Sequence, residues 1–154
     1  MGWAVGYDDH WKRDIGYGIV AFCDHPECNK KIDRGLAYVC CDQEPRGGDG
    51  CGLYFCSEHK GYSRFSEPDE DGDEEFVLND CCERCRYSKD PFTPKSEHPL
   101  WIRFKLLDPS WAKWRDECPD ETKVFQDMWD KLGPEVQAQA EKQTQEEMKW
   151  QAEP

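Results

Sequence analysis

The chain is short of apolar residues: they make up 37% of its 154 positions, against roughly 45–50% in ordinary soluble domains. A large oil-drop core is therefore not to be expected. No apolar run approaches the roughly 18 residues that a membrane span needs, so no membrane association is expected. The opening MGWAVGYDDHWKRD is polar and broken by glycines. It does not read as a secretory signal, and Gly6 stands where the myristoylation pattern needs Ser or Thr. P-loop, Rossmann, nucleophile-elbow, HExxH and zinc-deaminase signatures are all missing. These absences favour a protein that is not an enzyme.

Negative charge and cysteine are what the chain has in excess. With 33 acidic and 20 basic side chains the formal net charge is -13. The charge is clustered. Glu67–Glu75, EPDEDGDEE, carries seven carboxylates in nine residues, a block that repels itself and reads as a solvated loop or as a contact for a basic partner. An EF-hand is set aside, because the later bidentate Glu and the flanking helices are missing. Residues 116–154 hold eleven acidic groups against four basic ones. Residues 81–115 run the other way, with eight basic groups against four acidic.

Ten cysteines without a secretory leader point to metal rather than to disulfides. Their grouping supports this. Cys23 and Cys28 form C-x4-C; Cys40 or Cys41 precedes Cys51; Cys56 and His59 form C-x2-H; Cys82, with Cys81 as its alternative, forms a C-x2-C pair with Cys85. A pair at such spacing can bend both donors toward one tetrahedral ion. Four half-sites supply eight ligands, hence two Zn2+ ions per chain. Each site would have four soft ligands and no open position, as structural rather than catalytic zinc does. Cys118 stands alone, and His10, His25 and His98 read as spare surface histidines.

Two wirings are possible, sequential or cross-braced. GLAYVC (35–40) and GLYFC (52–56) read as the arms of a hairpin. Cys40 and Cys51 then lie at its turn end and Cys56 at the other, where Cys23 and Cys28 enter. That favours the cross-brace: Cys23, Cys28, Cys56 and His59 in one site, and Cys40, Cys51, Cys82 and Cys85 in the other. The order of pairs resembles RING, ZZ and related treble-clef fingers. It departs from RING in its C-x4-C first pair and wide second pair, so ligase activity is not carried over. Gly2–Cys40, with Gly47–His59 and Cys82–Cys85, also resembles a group of small uncharacterised zinc-binding proteins of bacteriophage and prophage genomes. That resemblance covers about residues 1–85. It implies a viral origin and a bacterial host cytoplasm, and it brings no established activity.

The expected fold is a small α+β, zinc-stabilised, treble-clef-like two-zinc module over residues 1–90, with its acidic loop at 67–75. A strand and helical extension follows over 91–154. Residues 1–22 read as loop then strand, and Asp80 as the cap of a short helix from Cys81 or Cys82. The stretch 91–99, with three prolines, reads as extended, and LWIRFKLL (100–107) as a strand. Asp108-Pro109 and Pro119 are helix starts, Gly133-Pro134 is a stop, and 135–152 favours a polar helix. Tyr87, Phe92, Trp101, Phe104, Trp111 and Trp114 interleave with the bases of 84–115, a pattern suited to single-stranded nucleic acid. The simpler reading gives Trp101, Phe104, Trp111 and Trp114 to the core and pairs the bases with the chain's own acidic blocks. Net charge opposes approach to a polyanion. The function expected is thus a protein-interaction module presenting an acidic surface to a basic host protein. A nucleic-acid-binding regulator and a virion component are the alternatives.

Overall fold

The computed structural model describes residues 5–42, 50–68 and 74–152. They divide into two compact units, residues 1–96 and 97–154.

The first unit is built from two small antiparallel sheets and the loops between them. β1 (Val5–Asp8), β2 (Arg13–Phe22) and β3 (Lys31–Arg34) form a meander in the order β1-β2-β3. Asp8 makes the β1–β2 turn: its Oδ1 accepts the N–H groups of His10 (2.9 Å) and Trp11 (3.3 Å). Within β2 the pairing to β3 shifts between Gly16 and Val20, and Gly16 (φ 137°) and Gly18 (φ 79°) supply the backbone angles that this irregularity needs. The inward positions Ile19, Ala21 and Ile32 are buried, together with Val39, Leu53 and Phe55 and seven of the cysteines.

The anticipated hairpin is reduced to a single antiparallel bridge, Val39 to Tyr54. The Cys40 N–H donates to Leu53 O (2.9 Å) and the Phe55 N–H to Tyr38 O (2.8 Å). Thiol-bearing knuckles begin at both ends of this bridge, so the ladder cannot lengthen.

The acidic stretch corrects the expectation of a loop over 67–75. β4 (Lys60–Pro68) and β5 (Glu74–Cys82) pair along their whole length, from Lys60↔Cys82 to Pro68↔Glu74, with Glu67 opposite Glu75. Only 69–73 lie between them, outside the described residues. Asp80 caps no helix. It lies within β5, 3.3 Å from the Lys60 ammonium, and the short α1 (Glu83–Arg86) is preceded by Cys82. The segment after α1 carries no helix or strand up to His98, one residue short of the expected 91–99, and through Ser96 it belongs to the first unit. Lys95 donates its backbone N–H to Asp24 (2.9 Å) and its ammonium to Cys28 O.

The second unit is helical throughout: α2 (Pro99–Leu107), α3 (Ala112–Glu117), α4 (Pro119–Lys131) and α5 (Pro134–Ala152). The strand read over LWIRFKLL is therefore wrong. His98 caps α2, its Nδ1 accepting the Leu100 N–H (3.1 Å), and Pro99 takes the first helical position. Leu100, Trp101, Ile102 and Lys105 are the buried face of α2, which packs on α4 and α5. Arg115 closes its far end by donating to the carbonyls of Lys105 (2.7 Å) and Asp108 (3.0 Å). The starts at Asp108-Pro109 and Pro119 and the break at Gly133-Pro134 fall where expected. Asp108 accepts the Ser110 N–H (2.9 Å) to open a single 3-10 turn before α3.

Several basic residues of 84–115 lie over rings, while the side chains of the 67–75 acidic block, and with them the pairing expected for it, lie outside the described residues. Arg84 lies over Phe92 (4.8 Å), Lys89 over Tyr87 (5.7 Å) and Lys105 over Trp114 (3.6 Å). Lys113 pairs with Glu117 one turn on, at 3.6 Å. No described helix is long and apolar enough to cross a membrane.

Candidate metal centres

Two groups of four donors form in the first unit: Cys23, Cys28, Cys56 and His59, and Cys40, Cys51, Cys82 and Cys85. In each group the four donor atoms lie within 4.8 Å of one another, so each group could hold a metal ion. The chain interleaves them, the first donor pair joining the third and the second joining the fourth.

The first centre sits where β2 ends. Cys23 and Cys28 flank a tight turn whose Cys28 N–H donates to His25 O (3.0 Å), while Cys56 and His59 belong to a 3-10 turn after the bridge strand. Cys28 Sγ is 3.9 Å from Cys56 Sγ, and His59 Nδ1 is 3.2 Å from Cys56 Sγ and 3.7 Å from Cys23 Sγ. Nδ1 is therefore the nitrogen facing the sulfurs. The backbone supports these sulfurs, the Cys56 N–H pointing at Cys23 Sγ (3.4 Å). Burial pushes the Cys23 thiol up to about 12. Burial also opposes the Cys28 thiolate, but the Lys30 N–H and the Cys23 and Cys56 thiols outweigh it and hold that pKa below the ordinary thiol value. Burial, and then the charge of His25, hold the His59 imidazole below its usual pKa, which favours the neutral, ligating form.

His25 is not an isolated surface histidine. Its ring stacks on His59 at 4.0 Å and meets the edge of Phe92 at 5.3 Å. His98 is not a surface histidine either: it is buried and caps α2.

The second centre gathers Cys40 from the end of the bridge strand, Cys51, Cys82 at the end of β5, and Cys85 in α1. The Cys82 N–H points at Cys40 Sγ (3.2 Å), and Cys51 Sγ lies 3.9 Å from Cys82 Sγ. The Trp11 indole reaches across from the β1–β2 turn to hold the Cys51 carbonyl (2.8 Å). The crowding shifts the four thiols in opposite directions. Cys40 is pushed up, the approach of Cys51 lowering it but that of Cys82 and Cys85, with burial, raising it more. Cys51 is pushed up by the approach of Cys40, Cys82 and Cys85 and by burial. Cys82 and Cys85 are held below the ordinary thiol range by the thiols of Cys40 and Cys51. Four crowded sulfurs cannot all ionise without a cation among them.

Of the vicinal cysteines, Cys40 and Cys82 are the members that fall in a four-donor group, while Cys40, Cys41 and Cys81 also gather within 4.8 Å of one another. Cys41 and Cys81 form a disulfide with each other, a correction to the expectation that the cysteines serve metal rather than disulfides. The cause is local. Successive side chains of a strand alternate sides, so Cys81 points away from Cys82. Cys41 takes a left-handed backbone (φ 65°, ψ 23°) and its sulfur meets that of Cys81 while staying 3.6 Å from Cys40 Sγ. Cys118 is a free thiol in the second unit.

Comparison with family models, with curated proteins and with solved structures gives no match to this chain.

Proposed function

We propose that the chain is a non-enzymatic interaction module held together by two structural zinc ions. The observation that carries this reading is the pair of interleaved four-donor groups. Zinc bound to sulfur at about 2.3 Å in a tetrahedron sets its ligand sulfurs about 3.8 Å apart. The Cys28–Cys56 and Cys51–Cys82 separations, both 3.9 Å, fit that edge. Three thiols with one imidazole, and four thiols, are donor sets of closed structural sites, with no position left for substrate or water. The interleaved order supports a treble-clef-like arrangement. Function then lies on the surface. Asp116, Glu117, Asp120, Glu121, Asp127 and Asp130 are all exposed along α3 and α4, which suits a basic protein partner. Lys105 and Arg115 are occupied inside the second unit, so a nucleic-acid role is less well supported. A phage origin and a host-protein target belong to this proposal through the resemblance of residues 1–85.

Elemental analysis of protein purified without added metal tests the metal reading: two zinc ions per chain are expected. Cys56→Ser and Cys85→Ser should each leave one, and Cys118→Ser should leave two. Capture from a bacterial lysate tests the partner, which should be a basic protein released by salt, since exposed charges are screened over about 8–10 Å. A labelled single strand that shifts with a steep salt dependence would transfer the reading to nucleic acid.

A further inference from the structure

Cys40-Cys41 and Cys81-Cys82 are both vicinal pairs. One member of each faces the second metal centre, and the other two members are joined as Cys41–Cys81. The disulfide thus cross-links the two segments that bring Cys40 and Cys82 to that centre. It closes a loop with a sequence separation of 40 residues, which contains Cys51 and both ligands Cys56 and His59. Cys41 Sγ lies 3.6 Å from Cys40 Sγ, and both disulfide cysteines are fully buried. The first centre has nothing comparable, since no cysteine adjoins Cys23, Cys28 or Cys56 in sequence.

From this juxtaposition we infer that Cys41–Cys81 is a thiol–disulfide redox site that locks the second metal centre and leaves the first untouched. The inference rests on the zinc reading above. Closed, the disulfide holds Cys40 and Cys82 at metal-binding separation before the ion arrives, so binding does not have to order the two segments. Opened, each segment is restrained only by its own packing and the ion must order it. The reaction partner is an external thiol. Two such thiols give up two electrons and two protons and end joined as a disulfide, while the Cys41–Cys81 bond breaks and two S–H groups form. Protection runs both ways. The reagent reaches the buried bond only when the centre opens, and the metal keeps the neighbouring Cys40 thiolate from attacking Cys41 Sγ.

The test compares zinc-loaded wild-type protein before and after reduction. The reductant is a phosphine, which transfers no thiol and competes weakly for zinc. Each form is titrated with a chromophoric chelator, and bound zinc is counted by native mass spectrometry. The oxidised form should be lighter by two hydrogens. One zinc should resist the chelator equally in both forms. The other should leave the reduced protein at a chelator concentration lower by on the order of 10–100-fold, the range found when groups that orient ligands are removed. The double variant Cys41→Ala/Cys81→Ala should follow the reduced curve with or without phosphine. Two-zinc protein whose oxidised and reduced curves superimpose overturns the lock and leaves the zinc reading standing. So does two-zinc protein, prepared in air, in which alkylation finds Cys41 and Cys81 as free thiols. Oxidised protein that carries the disulfide and binds no zinc overturns the zinc reading itself.

Discussion

Arg13 and Asp24 form a buried two-pronged ion pair, Nη1 to Oδ1 at 3.0 Å and Nη2 to Oδ2 at 2.7 Å. Asp24 follows the ligand Cys23 directly, and the same carboxylate also accepts the backbone N–H groups of Tyr54 and Lys95, each at 2.9 Å. One side chain therefore joins the start of β2, the bridge strand and the segment after α1 around the first metal centre. Burying a charge is tolerable only with its partners in place. Asp24→Ala leaves the Arg13 guanidinium and two N–H groups unpaired. It should cost about 3–5 kcal/mol, the usual loss when one partner of a buried pair is removed. Urea unfolding of the metal-loaded protein measures it, and zinc should leave the first centre at a lower chelator concentration. A loss below about 1 kcal/mol would mean that water reaches the site and the pair is not what holds these segments.

The ligand pairs were legible because metal chemistry imposes short spacings that neither cores nor loops require. The short bridge between 35–40 and 52–56 was enough to suggest that Cys40 and Cys51 lie apart from Cys56. The α2 helix was misread because its buried face includes a cation. Trp101 and Lys105 share that face four residues apart, and a lysine breaks the apolar pattern that marks a helix. Its cap is also unusual, a histidine where Ser, Thr, Asp or Asn is the ordinary signal. The β4–β5 pairing was hidden by its charge, since a composition rule reads a carboxylate run as loop even where the flanking residues are extended. Nothing in the spacing distinguished Cys40 from Cys41 or Cys81 from Cys82. Which of two neighbours joins the four-donor group depends on strand alternation and on one left-handed residue, and both appear only with the backbone.

The aromatic cluster of the second unit surrounds a charge of its own. Lys105 Nζ lies 3.6 Å from the Trp114 ring centre, 4.5 Å from that of Trp111 and 4.8 Å from that of Phe125. Desolvated contacts of this type contribute about 2 kcal/mol or more, against the cost of burying an ammonium. Lys105→Met keeps the stem and removes the charge with its ring contacts, so it should lose less stability than Lys105→Ala. Lys105→Ala vacates the space as well and should lose about 2–4 kcal/mol, as large-to-small changes in a packed interior do. Lys105→Glu sets an anion against the negative ring faces and should be the worst of the three. Tryptophan fluorescence during urea unfolding reads all three, and a Met variant as unstable as Ala would show that the charge itself is essential.

Burial pushes the Tyr54 phenol up to about 12, whereas in an unfolded chain it ionises near 10. The folded state therefore holds this proton after the unfolded state has released it. The contribution is fully present below about pH 10 and is lost as pH rises toward 12. The loss amounts to at most about 2–3 kcal/mol at 1.36 kcal/mol per unit. Melting temperature measured from pH 9 upward should fall for the wild type and fall less steeply for Tyr54→Phe. Parallel curves would assign the alkaline decline to other groups.

Gly50 offers a test confined to the second centre. A Cβ built there would lie 2.4 Å from the carbonyl oxygen of Cys40 and 3.0 Å from Cys41 Cβ. Both are parts of the chain that cannot swing aside, because Cys40 belongs to the second four-donor group and Cys41 is held by its disulfide. Relief must come from moving the segment around Gly50, and the next residue, Cys51, belongs to the same donor group. Gly50→Ala should therefore shift Cys51 off its position and weaken zinc at the second centre by on the order of 10–100-fold, as misoriented ligands do. The atoms nearest a Cβ at Gly50 belong to Cys40 and Cys41, so the first centre should retain its zinc. Gly133→Ala is the control, since a Cβ there meets nothing within 4 Å, and it should leave both ions in place. Native mass spectrometry at graded chelator concentrations separates the outcomes. Selective loss of one zinc in Gly50→Ala alone supports the close approach of Gly50 to Cys40. Equal retention in both variants would mean that this segment yields without moving Cys51.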